Sequence, residues 1–351
     1  MPKKLRTVEE KVLFRKGTGG YLYYRIPGIL PVRDALLLAL EARNSTLGDW
    51  GDIDILILRR EGDGEPKQVH KIGESSLPPD GTMRTYNNPV LVPDGERVHL
   101  IYHKNYEQAF CITSSDGGKT WGHAREITES YRRFPCQWNV CATGPGHGIR
   151  TRTGRLVAPV WLANGKVSDD GMTRAHVPSV AGCIYSDDHG ATWQPGALAE
   201  GLANGNETTV AEMEDGKLLF NYRNTDECGK RALGLSHDGG ESLEPRWFSE
   251  ELTDPQCFGS MISTGEGILF ANCEDAYRRV HLTVKRTRDA GCSWETVWEV
   301  DPVGGYSDIA ESDGRVYLFY ERQEGSEIAE LVLVAAVWDN DSGQHPGIPV
   351  G

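Results

Sequence analysis

Three arginines in this 351-residue chain sit at the ends of apolar, strand-like segments: Arg25 in YYRIPGIL, Arg223 closing LLFNYR, and Arg279 just ahead of HLTVKR. A single arginine in such a place would cap a strand or pair with an acid, but recurrence in three segments changes the odds. A planar guanidinium binds a carboxylate through two parallel hydrogen bonds, so three that converge form an anion-selecting pocket. Arg278 stands beside Arg279, so either could be the third. Two acidic positions accompany them. Asp49, in RNSTLGDWGDID, lies in a loop between two strands, with Asp52 and Asp54 close by. Glu207, in GNETTVAE, comes just ahead of a strand, with Glu212 as its nearest competitor. Tyr306, in GGYSDIA, follows two glycines and precedes a polar pair, an odd setting for a core tyrosine. Taken singly, each of these is more often a solvated loop residue or ordinary packing than a catalytic group.

The elements that must position them are strands. Short apolar or alternating runs fill the chain, among them ALLLAL, DILILRR, RVHLIYH, RLVAPVWL, KLLFNYR, GILFAN and RVYLFYE, and helical periodicity is almost absent. The motif SSDGGKTW at 114–121 returns as SDDHGATW at 186–193, then loosened as SHDGGESL from 236 and TRDAGCSW from 287. Asp followed by Gly-rich residues makes a tight turn, and the closing Trp packs beneath it. The third copy has lost that Trp. The turn aspartates Asp116, Asp188, Asp238 and Asp289 are 72, 50 and 51 residues apart. Repeats of that length, at about four strands each, predict an all-β, six-bladed β-propeller with these Asp-box hairpin turns on its outer rim, away from any chemistry. The segments near Val12 and after Glu330 are expected to pair and close the ring.

One domain spanning 1–351 accommodates this length. With 37 basic and 51 acidic residues the net charge is −14, and the dispersed basic residues argue against nucleic acid as a partner. The longest apolar runs fall far short of the roughly 20 residues a membrane span needs. No secretory signal is present as written, which reads as cytoplasmic, or as secreted or periplasmic if a signal has been removed. Eight cysteines are scattered without a disulfide framework and are read as reduced thiols. Cys136 and Cys141, near His147, match no common zinc spacing, so neither metal nor cofactor is implied. Oligomeric state is left open.

Together, the Asp boxes, YRIP around Arg25, NETTVAE around Glu207, the FNYR arginine, GPGHGI at 144–149 and GGYSD ahead of LFYE resemble the exo-α-sialidase (neuraminidase) family of bacterial type, in the family's order from about residue 21 to 338. The Asp boxes occur in other proteins too; the arginine, Tyr and Glu segments are more specific. The resemblance implies that Arg25, Arg223 and Arg279 bind the carboxylate of sialic acid and that Asp49 is the acid/base. Tyr306 would be the nucleophile, assisted by Glu207, with Glu321 holding Arg25. Arg43 and Asn88, in LEAR and YNNP, match positions lining the pocket. His147 is given no chemical role.

A tyrosine suits such a substrate, because a carboxylate nucleophile would meet like charge on the anomeric carbon. The phenol is a poor nucleophile at its ordinary pKa, near 10, until a neighbouring carboxylate accepts its proton. Burial in a substrate-covered pocket is expected to raise the pKa of Asp49 for its acid role and to give a mildly acidic optimum. The expected partners are sialylated glycans or sialosides, and hydrolysis is the first reading. Trans-sialidase or intramolecular trans-sialidase activity would use the same adduct, and a catalytically silent carbohydrate-binding propeller would keep only the turns. The polar stretch 163–178 is a place for specificity.

Overall fold

In a computed structural model, which describes residues 3–45, 47–73, 84–226, 228–325 and 327–339, the runs form six antiparallel blades of a β-propeller. The first blade is Tyr23–Val32, Ala35–Arg43, Ile53–Glu61 and Lys67–Ile72, and the second is Tyr86–Asp94, Arg97–Lys104, Gln108–Ser114 and Arg125–Glu126. The third uses Val140–Thr143, Leu156–Ala163, Ser179–Ser186 and Gln194–Leu198; the fourth, Thr208–Glu212, Leu218–Tyr222, Lys230–Ser236 and Trp247–Thr253. The fifth uses Ser260–Thr264, Gly267–Cys273, Val280–Thr287 and Glu295–Val303. Its neighbour, the sixth, is Ser307–Ser312, Arg315–Glu324 and Glu327–Trp338, completed by Leu5–Arg15 from the other end of the chain. Val12 pairs with Val332 and Phe14 with Leu331, the closure anticipated from the two apolar ends.

Blades stacked face to face explain why strands here read as continuous apolar runs. Successive side chains of Ala35–Arg43 point to opposite faces. Leu37 and Ala39 pack with Leu91, Leu100 and Ile112 of the second blade, while Leu36, Leu38 and Leu40 pack with Phe319, Leu331 and Leu333 of the sixth. Both sets are buried, so alternation disappears from the sequence. The one helix among the described residues, Thr128–Arg132, lies in the interval of 72 residues between the first two boxes. The same interval holds two short strands, Gly146–His147 and Ile149–Arg150, and so accounts for the irregular spacing.

Each Asp box joins the third strand of a blade to the fourth. Asp289 is representative: its Oδ1 accepts from Ser293 N at 2.9 Å and its Oδ2 from Ser293 Oγ at 2.5 Å. Trp121, Trp193 and Trp294 pack beneath their turns, and Leu243 takes the place of the missing Trp. Deleting residues 1–15 would strip Glu327–Trp338 of one of its two pairing partners and expose an apolar edge, which invites association between chains. The expected outcome is insoluble or aggregated protein, read by size-exclusion chromatography against the full chain.

Candidate active site

Connections that lead into first strands, and those that join second strands to third, all emerge at one end of the propeller. The Asp boxes, joining third to fourth, lie at the other. Arg25, Asp49, Glu207, Arg223, Arg279 and Tyr306 all belong to the first set, and the ring brings them together. The guanidinium carbons of Arg25, Arg223 and Arg279 lie 5.0, 5.9 and 5.1 Å from the centroid of the Tyr306 ring. Arg279 is therefore the third arginine of the cluster; Arg278 points outward, with 74% of its side chain exposed, toward Asp275.

The buried carboxylate of Glu321 fixes the first arginine. It accepts from Arg25 Nε at 3.0 Å and Nη2 at 3.3 Å, from Ile26 N at 3.0 Å and from Tyr306 N at 3.2 Å. Ile26 has φ 56°, a strained value for a β-branched residue, at a register shift that re-aims Arg25. The same device recurs one blade on. Asn88, at φ 49° in another bulge, donates its N–H to Glu41 at 2.8 Å, and Glu41 holds Arg43 at 2.6 and 3.0 Å. Asn88 Nδ2 in turn reaches Thr143 O, so this residue ties the first three blades.

Tyr306 Oη lies 2.7 Å from both carboxylate oxygens of Glu207 and accepts from Arg223 Nη1 at 2.7 Å; Arg223 also pairs directly with Glu207. Burial pushes the Tyr306 phenol well above its ordinary range; Arg223 opposes the rise and Glu207 adds to it. The resting group is therefore a neutral phenol whose proton faces a carboxylate. Arg279 is only half-buried. Its Nη2 donates to Gln256 O at 3.3 Å, and among the described residues no acid pairs with it, so it is free to meet an incoming anion.

Asp49 hangs from the first blade's second connection with 43% of its side chain exposed. Its Oδ1 is 3.1 Å from Arg43 Nη2 and 3.7 Å from Arg25 Nη1. Burial pushes the pKa of Asp49 upward, but Arg43, then Arg25, then His176 outweigh it and hold the carboxyl at about 2. In the unliganded pocket Asp49 is a carboxylate.

Several residues of this site were missed from sequence. Glu41 is two positions before Arg43 and therefore on the same strand face, a signal available in LEAR. Tyr106, Trp161 and His176 form a wall beside Asp49, with ring centroids 4.7 Å apart for Tyr106 and His176 and 5.1 Å for Trp161 and His176. His147, on a strand paired to the second blade, pairs with Asp308 at 2.7 Å and reaches Met261 O at 3.1 Å, and Asp308 accepts from Ile29 N at 2.7 Å, so the group links the first, second, fifth and sixth blades across the channel. Burial lowers the His147 pKa, but Asp308 outweighs it and the net shift is upward. The glycines of GPGHGI are required sterically: a Cβ on Gly144 would stand 2.1 Å from Thr208 O, and on Gly146 (φ +93°) 2.8 Å from the Asp308 carboxyl.

This combination of six blades, Asp-box turns and a channel-mouth cluster defines a BNR-repeat propeller, and a profile of the BNR repeat-like domain family matches residues 40–319. A sialidase of Micromonospora viridifaciens is 28% identical over 92% of this chain and 54% of its own length. Sialidase-4 of Mus musculus is 32% identical over 73% of this chain and 57% of its own. In three dimensions, a Hadza microbial sialidase superposes with a TM-score of 0.76 at 23% identity, over 93% of this chain and 68% of that one. The chain belongs to the sialidase family of BNR-repeat propellers. It spans a little over half the length of the curated relatives it matches, 54% and 57%.

Glu321→Ala would leave the buried Arg25 with Asp49, 3.7 Å away, as its remaining acid and would free two backbone N–H groups. Breaking a buried ion pair from one side costs about 3–5 kcal/mol, so calorimetry is expected to show a melting temperature lower by several degrees. Glu321→Gln keeps the shape and some hydrogen bonds, and is expected to fall between Glu321→Ala and the parent.

Proposed function

We propose that the chain is a retaining exo-α-sialidase that hydrolyses terminal sialic acid from glycoconjugates through a tyrosine-linked covalent intermediate. The contact of Tyr306 with Glu207 inside a ring of three guanidinium groups carries this reading. Family membership supports it, and a silent binding propeller has no use for such a pair. Arg25, Arg223 and Arg279 meet the sugar carboxylate, placing the anomeric carbon against Tyr306 Oη. Two negative charges about 4 Å apart repel by about 4 kcal/mol at an effective dielectric of about 20, which disfavours a carboxylate nucleophile. Tyrosine in that role is a recognised exception among retaining glycosidases.

In the first step Tyr306 Oη bonds to the anomeric carbon, its proton passes to Glu207, and the glycosidic bond breaks as the leaving oxygen takes a proton from Asp49. In the second, Asp49 takes a proton from water, the water oxygen bonds to the anomeric carbon, and Tyr306 departs with the proton returned by Glu207. Two inversions give retention. Arg43 and Asn88 shape the wall behind Asp49, and Glu321 positions Arg25.

With a fluorogenic aryl sialoside, the parent is expected to release fluorophore and Tyr306→Phe to lose nearly all turnover. General acid–base groups contribute about 10²–10⁴-fold, so Asp49→Ala should fall by that much on alkyl sialosides. Arg223→Ala should lose about tenfold or more, one charge-assisted hydrogen bond being worth about 1.5–3 kcal/mol. A parent with no release on any sialoside overturns the proposal.

Asp49 must enter the first step protonated, although the empty pocket holds it at about 2. The site balances Arg25, Arg43, Arg223 and Arg279 against Glu41, Asp49, Glu207 and Glu321, so a bound carboxylate leaves one negative charge in excess. That excess raises the pKa of Asp49, the exposed member of the set. A ligand that raises a pKa binds more tightly as pH falls between the free and bound values, with a proton taken up. Calorimetric titration of an unsaturated sialic acid analogue in buffers of different ionisation enthalpy is expected to show proton uptake below pH 7 that Asp49→Asn abolishes.

A further inference from the structure

The two oxygens of Asp49 have different neighbours. Oδ1 faces Arg43 and Arg25, whereas Oδ2 faces His176 Nδ1 at 4.0 Å. An oxygen committed to two guanidinium groups is a poor place for a proton, so Oδ2 is the oxygen that gives and takes it. His176 arrives on an arm of the third blade, residues 163–178, that is itself a built hairpin. Ala175 N donates to Lys166 O at 2.9 Å, Asn164 N to Pro178 O at 3.1 Å, and Val167 bridges Arg174. The arm is anchored on the second blade through the pair Arg174 and Glu107.

We propose that His176 is a positioning residue for Asp49, a neutral imidazole that keeps Oδ2 turned into the pocket and available to a proton, and that protonating this imidazole stalls the acid step. The inference rests on the sialidase reading. Tyr106, Trp161 and Trp50 surround the ring at centroid distances of 4.7, 5.1 and 6.0 Å, and its Nε2 is buried with no hydrogen-bond partner among the described residues. With Nδ1 toward the carboxylate, a second proton would have to sit on Nε2 against the aromatic wall, unsatisfied. At 4.0 Å the pair is longer than a hydrogen bond, which leaves Oδ2 room for its own proton.

The charged and titratable groups around the ring come from each neighbouring element: Asp49 from the first blade, Tyr106 and Glu107 from the second, Arg174 on the arm, and Glu207 and Arg223 from the fourth. Burial depresses the imidazole; Asp49 and Glu207 work against that and Arg223 with it, and the net shift is downward. An imidazolium formed in acid would hold Asp49 as carboxylate, so cleavage of substrates that need a protonated leaving group would fail first.

The test compares pH–rate profiles of the parent, His176→Phe, which keeps the ring, and His176→Asn, which keeps a donor near Nδ1. An alkyl sialoside needs the acid; a nitrophenyl sialoside scarcely does. His176→Phe is expected to lose about tenfold in kcat/KM on the alkyl substrate and less than threefold on the nitrophenyl one. Its acid limb should disappear, since no imidazole remains beside Asp49 to be protonated. His176→Asn is expected to recover the alkyl rate near neutrality while still lacking the acid limb. Equal losses on both substrates with an unmoved profile would mean a merely structural ring and overturn the inference alone. A parent inactive on both sialosides would overturn the sialidase reading and the inference with it. Independently of turnover, NMR titration of labelled histidine should show the His176 pKa falling further in Asp49→Asn, and an unchanged titration would also overturn the inference.

Discussion

The active end of this propeller depends on one buried carboxylate. Glu321 gathers Arg25 of the first blade, the backbone of Ile26 beside it and the backbone of Tyr306 from the sixth, so it binds the first blade to the sixth, the blade in which the ring closes. Hydrogen-bonded on both oxygens, it offsets the desolvation of the guanidinium and holds Ile26 at a positive φ that the chain would otherwise avoid. Glu41 repeats the arrangement one blade further on, catching the bulge at Asn88 while holding Arg43. In each case the end of a second strand braces the start of the next blade, and the braced bulge aims a polar side chain at the channel mouth.

That geometry sets the electrostatics. Four arginines and four carboxylates at a semi-enclosed mouth are close to neutral overall, and local screening isolates them from the −14 of the whole chain. Neutrality makes the site responsive, because an arriving carboxylate disturbs a balance instead of merely diluting an excess of positive charge. The disturbance falls on the group that water reaches most easily. Asp49 is that group, while Glu41 and Glu321 are sealed.

Much of the scaffold was legible in the sequence because turns are local. Asp boxes announce themselves through Asp, Gly and a hydroxyl residue four positions on, and their spacing yields the blade count. Ring closure was legible too, from apolar runs at opposite ends that have nowhere else to pair. Arg25, Arg223, Asp49, Glu207 and Tyr306 could be named because each interrupts an apolar or glycine-bearing context in a way packing does not require. Choosing Arg279 over Arg278 needed the path of the strand. His176 left no signal in NGKVSDDGMTRAHVP, since its role depends on an arm from the third blade crossing to a loop of the first. The charge state of Asp49 in the empty pocket was not legible for a related reason: exposure and the facing of Oδ1 toward two arginines are properties of assembled blades.

The arginines that collect an anion would also favour a phenolate, and the structure opposes that outcome. Burial outweighs the combined pull of Arg223, Arg279 and Arg25 on the Tyr306 proton, and Glu207 adds its own negative charge beside the oxygen. On the proposed reading, a substrate carboxylate that occupies the guanidinium groups weakens their pull on the phenol further, so a preformed phenolate would be less accessible at the moment attack is needed. In the proposed first step the proton therefore leaves as the new bond forms. Glu207, within 2.7 Å through either oxygen, is placed to receive it without a change of rotamer. In the proposed second step the same closeness lets it return the proton when the tyrosine is released, which would tie both half-reactions to a single carboxylate held by Arg223.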